Sequence, residues 1–124
     1  MDRTALIEEI YQFICENGLC AGIVKYFGTS GKVQMNFAES KYASNIEELE
    51  LSVRSYNGLK RVGMDTIEQV MTAINNGTLS SVRNLGNKSC REIRMKMLEY
   101  GFASLTEYGK KQFIKNLIDI NPID

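Results

Sequence analysis

Histidine is absent from this 124-residue sequence, which removes the side chain most used for proton transfer near neutral pH. Cysteine is scarce as well: Cys15, Cys20 and Cys90 make an odd set, too small for a disulfide framework. A closed zinc site takes four ligands, and a C-x4-C pair plus one distant thiol with no histidine falls short of it. The three thiols are therefore expected as small apolar fillers of a core. No run approaches the roughly 20 apolar residues of a membrane span. The opening MDRTALIEEIYQF also lacks the basic start and continuous apolar core of a secretion signal. Neither a Walker-type phosphate loop nor a nucleophile with a base beside it is found, so catalysis is not expected. These absences lead to an expectation of a cytoplasmic binding protein with no cofactor, no metal and no membrane contact.

Net charge is the other thing lacking, since 15 basic residues balance 15 acidic ones. A basic balance is the usual footprint of a nucleic-acid binder, but the distribution along the sequence is uneven. From Arg54 to Lys96 there are eight basic residues (Arg54, Lys60, Arg61, Arg83, Lys88, Arg91, Arg94, Lys96) against Asp65, Glu68 and Glu92, while Glu47, Glu48 and Glu50 lie immediately upstream. A neutral protein is thus able to present one basic face and one acidic edge. With 44% apolar and 24% charged residues, the composition favours a folded protein over a disordered one. Its length suits one small domain with ordered extensions.

Hydrophobic spacing gives the order of elements. Leu6, Ile7, Ile10, Phe13 and Ile14 fall at helical period between Thr4, a candidate N-cap, and Gly18, a stop. GIVKYFGTSGKVQMNF (22–37) has two runs rich in β-branched and aromatic residues around Gly-Thr-Ser-Gly and predicts a β-hairpin. A lone hairpin is marginal in water, so this one is expected to lean on the helix or the following domain. Residues 38–45 turn polar and read as a connector. Thereafter short helices are predicted. The first, from Ser52 to about Lys60, has Val53, Tyr56 and Leu59 on one side. The second is opened by an Asp65/Glu68 capping box and stopped at Asn76-Gly77, with Ile67, Val70, Met71 and Ile74 inward. A brief turn over Leu79–Val82 precedes a helix from Asn87 to Tyr100 with Cys90, Ile93, Met97 and Tyr100 inward, ended by Gly101. The last spans Leu105 to Ile120, with Tyr108, Phe113, Leu117 and Ile118 apolar, and is ended by Pro122. The expected fold is mainly α: a compact bundle of four or five short helices with helix-hairpin-helix elements, preceded by an N-terminal helix and a β-hairpin. The boundaries are 1–45, 46–102 and 103–124.

The segment LSSVRNLGNKSCREI (79–93) resembles the second half of a helix-hairpin-helix DNA-binding motif. Gly86 would permit the tight turn, Leu85 would plug the angle between helices, and the unpaired N–H groups opening the next helix would point at a phosphate beside Lys88 and Ser89. An ordinary helix-glycine-helix connection with solvated charges explains this segment alone equally well.

Together with ELELSVRSYNGLK (48–60), the segment resembles the C-terminal domain of the bacterial RNA polymerase alpha subunit, whose pattern is L-x-V-R-S-x-N-x-L-K followed by N-L-G-x-K-S. The match covers about Ile46 to Phe102. The resemblance implies that Arg54 enters the DNA minor groove, that Asn57 contacts DNA one turn along, and that Gly58 lies beside them. It implies further that Gly86, Lys88 and Ser89 hold the sugar–phosphate backbone, that Glu92 supports that surface, and that Glu48 and Glu50 touch sigma factor or activators. Helical spacing agrees for Arg54 and Asn57, which are i, i+3 neighbours, and a narrow AT-rich minor groove attracts arginine. For the acidic residues, complementation of a helix dipole is an equal alternative. Gly58 stands where the family often has cysteine, and residues 1–45 do not look like the polymerase assembly domain. The expected partner is double-stranded DNA at AT-rich minor groove in transcription. The alternative is a protein-interaction module of the same fold that binds transcription regulators without DNA. A repair-type helix-hairpin-helix domain would leave the Arg54 motif unexplained.

Overall fold

The computed structural model describes residues 2–28, 33–35 and 44–121. Among them are six α-helices: α1 (Arg3–Asn17), α2 (Leu19–Phe27), α3 (Val53–Arg61), α4 (Ile67–Asn75), α5 (Asn87–Phe102) and α6 (Glu107–Ile120). Short 3-10 turns at Ile46–Leu49 and Leu79–Ser81 precede α3 and α5.

The predicted β-hairpin is not there. Its first arm lies in α2, Val33–Met35 takes no regular structure, and the rest of the second arm and most of the 38–45 connector lie outside the described residues. No strand occurs among the described residues, where extended pairing is limited to an isolated antiparallel bridge between Asn45 and Thr66. Packing explains why a β-rich composition folds as a helix. Gly22, Ile23 and Tyr26 share the buried face of α2. A Cβ on Gly22 would sit 2.5 Å from Ile14 Cγ1, so α1 and α2 meet where glycine has no side chain. Phe13 and Tyr26 stack edge to face at 5.9 Å, and the Tyr26 hydroxyl donates to Glu9 at 2.7 Å. Burial, reinforced by that bond, pushes the Tyr26 phenol up to about 12. Tertiary contacts of this kind override a propensity scale spanning only about 1 kcal/mol.

α1 ends at Gly18 as its spacing predicts, although Asp2 rather than Thr4 stands at its N-cap. α6 returns along α1, tied by Arg3–Asp119 and Lys111–Glu8 ion pairs, each at 2.8 Å. Two asparagines hold the short extended segment in place of a sheet. The side-chain amide of Asn75 accepts from Met35 N at 3.0 Å and donates to Met35 O at 2.8 Å. Asn121 does the same for Gln34, at 2.8 and 2.9 Å.

One apolar cluster runs from Ile10 and Ile23 through Ile67, Ile93 and Leu98 to Phe113 and Leu117. At its centre is α5, whose Ile93, Met97 and Leu98 are fully buried, each stabilising by about 1.5–3 kcal/mol. α5 runs on to Phe102, with Gly101 buried inside it rather than ending it. The capping box of α4 falls on Thr66 and Gln69, one residue past the predicted pair, because Asp65 is engaged by Lys60 at 2.8 Å. Val53 and Tyr108 are 76% and 73% exposed, not inward. Of the thiols only Cys90 is buried, while Cys15 and Cys20 are exposed on the outer faces of α1 and α2. α6 starts at Glu107 behind a Thr106 cap and ends at Ile120, and Pro122 lies outside the described residues.

Candidate nucleic-acid interface

The N-terminus of α3 is built around a carboxylate from α5. Ser52 caps the helix by accepting from Ser55 N at 3.3 Å. Glu92 accepts from Ser52 N and from Ser52 Oγ, both at 2.8 Å, and from the hydroxyl of the fully buried Ser55. Partial burial works against the Glu92 charge, but the bonds from Ser55 and Ser52, with Lys96 nearby, outweigh it and hold the carboxyl below its usual range. Ser55 is not among the residues expected from the sequence, where only Glu92 and the Ser52 cap stand out; two serines three apart at a helix start, each able to face the same acceptor, are its signal.

The second joint is apolar. Leu85 is buried at 7% exposure, and a Cβ on Gly58 would lie 2.6 Å from its Cδ2. Gly58 therefore lies under the turn before α5, facing inward, and Leu85, expected between the helices of the hairpin, packs on α3. α3 and the turn are locked together by this contact on one side and by Glu92 on the other.

Within the turn, the left-handed conformation belongs to Asn84 (φ 69°), whereas Gly86 is extended at φ −77° and ψ 174°. Gly86 is thus not needed for reversal of the backbone. Nothing lies within 4 Å of where its Cβ would be, which leaves the backbone open to close approach from outside. Gly86 is also the N-cap of α5 and makes no side-chain cap bond; the helical ladder starts with Cys90 N donating to Gly86 O at 3.0 Å. The N–H groups of Asn87, Lys88 and Ser89 consequently have no acceptor inside the helix, an arrangement suited to anions. Lys88 is exposed, while Ser89 is buried at 7%. Arg54 and Asn57 are exposed on α3.

The eight basic residues of this region are not equivalent. Lys60 is bound to Asp65 and lies 3.9 Å from Glu47, and Lys96 lies 3.9 Å from Glu99. Arg94 is only 8% exposed, in a cleft of about 260 Å³ beside the C-terminal end of α4, where a cation suits the helix dipole. Arg54, Arg61, Arg83 and Lys88 are exposed with no ion pair among the described residues, and Arg91 is exposed too. On the acidic edge, Glu47 accepts from the Tyr56 hydroxyl at 2.8 Å, which holds its carboxyl below the usual range. Glu48 and Glu50 are exposed and border a cleft of about 400 Å³ that also includes Tyr100 and Glu99.

Among the described residues no three thiols or carboxylates gather in a geometry that could hold a metal, and no helix is long and apolar enough to cross a membrane. The architecture is that of a small helical domain in which a capped arginine-bearing helix is fixed against a helix–turn–helix. Residues 34–99, just over half of the sequence, match the family model for the C-terminal domain of the bacterial RNA polymerase alpha subunit, and the protein belongs to that family. It is 58% identical over 57 residues to a DNA-directed RNA polymerase subunit alpha of Rubrobacter xylanophilus, covering 46% of this protein and 18% of that one. It is 49% identical over 63 residues to the subunit of the same name from Clostridium beijerinckii, covering 50% and 20%. The protein thus spans about a fifth of the length of the curated relatives it matches. No solved structure matches it. The domain of this family is a non-catalytic part of the polymerase.

Proposed function

We propose that the protein binds double-stranded DNA in transcription, with Arg54 and Asn57 directed into an AT-rich minor groove and the start of α5 seated on the sugar–phosphate backbone. The observation that carries this reading is the Leu85–Gly58 contact. It fixes the exposed Arg54 helix to a turn whose next three N–H groups lack helical acceptors, so the two halves act as one rigid surface. In this reading Gly86 lets a phosphate approach the backbone, Lys88 supplies a charge, Ser89 offers its N–H, and Gly58 and Glu92 hold the surface in shape. Glu48 and Glu50, exposed beside the internally bonded Glu47, are proposed to meet sigma factor or an activator.

The test is DNA binding measured against salt on AT-rich and GC-rich duplexes. Lys88→Ala should weaken both equally and lower the salt slope by about 0.9, the loss of one phosphate contact. Arg54→Ala should remove most of the AT preference, at a cost on the order of 1–3 kcal/mol. Absence of binding by the wild-type protein at low salt would sink the DNA reading and leave a protein-interaction module of the same fold, with Glu48 and Glu50 as its first residues to examine.

A further inference from the structure

We propose that Arg61, at the far end of α3, is a second DNA contact that grips a phosphate on the wall of the groove Arg54 enters, an inference that rests on the DNA reading above. Seven residues separate the two arginines. At 3.6 residues per turn Arg61 returns to within about 20° of the same face, and at 1.5 Å per residue it stands about 10 Å farther along the axis. Both side chains are exposed, and neither takes part in an ion pair among the described residues.

Its neighbour Lys60 shows the contrast. Lys60 turns away to Asp65 at 2.8 Å and Glu47 at 3.9 Å, so its charge is held within the domain. A cation in the last turn is also favourable to the helix dipole, but Lys60 already meets that need, and dipole complementation does not require the face occupied by Arg54. The minor groove is about 6 Å wide. The proposal sets α3 across the groove, so that with Arg54 inside it a cation about 10 Å away along the helix falls beyond the base edges and onto the phosphates. Arg61 is therefore assigned affinity and salt dependence, with no part in reading sequence or groove width.

The experiment uses the full-length protein and two variants, Arg61→Ala and Arg61→Lys, with fluorescence anisotropy on AT-rich and GC-rich duplexes between about 50 and 200 mM salt. Arg61→Ala should reduce the salt slope by about 0.9, so that this fourfold rise in salt weakens the variant roughly threefold less than it weakens the wild type. The ratio of AT-rich to GC-rich affinity should stay unchanged, and Arg61→Lys should restore the slope, since a phosphate needs only a point charge. Wild-type binding with an unaltered slope in Arg61→Ala overturns the inference while leaving the DNA reading intact. Loss of the AT preference in Arg61→Ala overturns it also, by placing the side chain in the groove. Failure of the wild type to bind DNA removes both.

Discussion

Replacing Glu92 by alanine tests whether the arginine-bearing helix is held from α5. The carboxylate receives three hydrogen bonds, two from Ser52 and one from Ser55. A hydrogen bond to a charged group contributes about 1.5–3 kcal/mol. Ser52 is exposed, so water takes over most of what it loses, whereas the fully buried Ser55 hydroxyl is left with Ser52 Oγ, 3.2 Å away, as its side-chain partner. The expected destabilisation of Glu92→Ala is then on the order of 2–4 kcal/mol, and its melting temperature should fall by roughly 10 °C for a protein of this size. Adding Ser55→Ala to Glu92→Ala should recover part of that loss, because it removes a buried hydroxyl that has lost its carboxylate acceptor. The pH dependence has a defined sign. The folded-state pKa of Glu92 is depressed, so its stabilisation is complete above the unfolded carboxylate value of about 4.3 and is lost as pH falls through the lower folded value. The gap between wild type and Glu92→Gln should therefore close below about pH 4. Urea unfolding followed by circular dichroism reads all of these. A loss under about 1 kcal/mol for Glu92→Ala, or a further loss on adding Ser55→Ala, would refute the reasoning.

Three other outcomes follow from the scaffold. Gly22→Val should destabilise by at least about 1–3 kcal/mol, because its Cβ would fall against Ile14; in a hairpin the same change would raise strand propensity, so a stabilised variant would favour the strand. Asn75→Ala should remove about 1–2 kcal/mol and release the Met35 amide to fast hydrogen exchange, since the Asn75 side chain bonds both polar backbone groups of Met35; unchanged exchange at Met35 would argue that another group holds the segment. Cys15 and Cys20 should react promptly with a thiol reagent in the folded state while Cys90 reacts only on unfolding; equal protection of all three would contradict the exposed faces assigned to α1 and α2.

The parts of this protein legible in its sequence are those whose geometry is fixed by neighbouring residues. The Ser52 cap, the helical face of α4 and the stop at Gly18 all depend on residues within a turn or two, where spacing carries the information. The errors arise where a distant residue decides. Gly22 to Phe27 has the composition of a strand, and its packing against Glu9, Phe13 and Ile14 of α1 favours a helix. Asp65 has the spacing of a capping residue, but Lys60 occupies it and the cap moves to Thr66. Val53 has the period of a core residue, yet Glu92, 40 residues from Ser52, bonds Ser52 and the buried Ser55, and Val53 stands 76% exposed. Arg54, the next residue, is exposed as well. Two long-range contacts that periodicity does not reveal, Glu92 with Ser52 and Ser55 and Leu85 with Gly58, therefore hold α3 in place, and the proposed DNA contact of Arg54 depends on both.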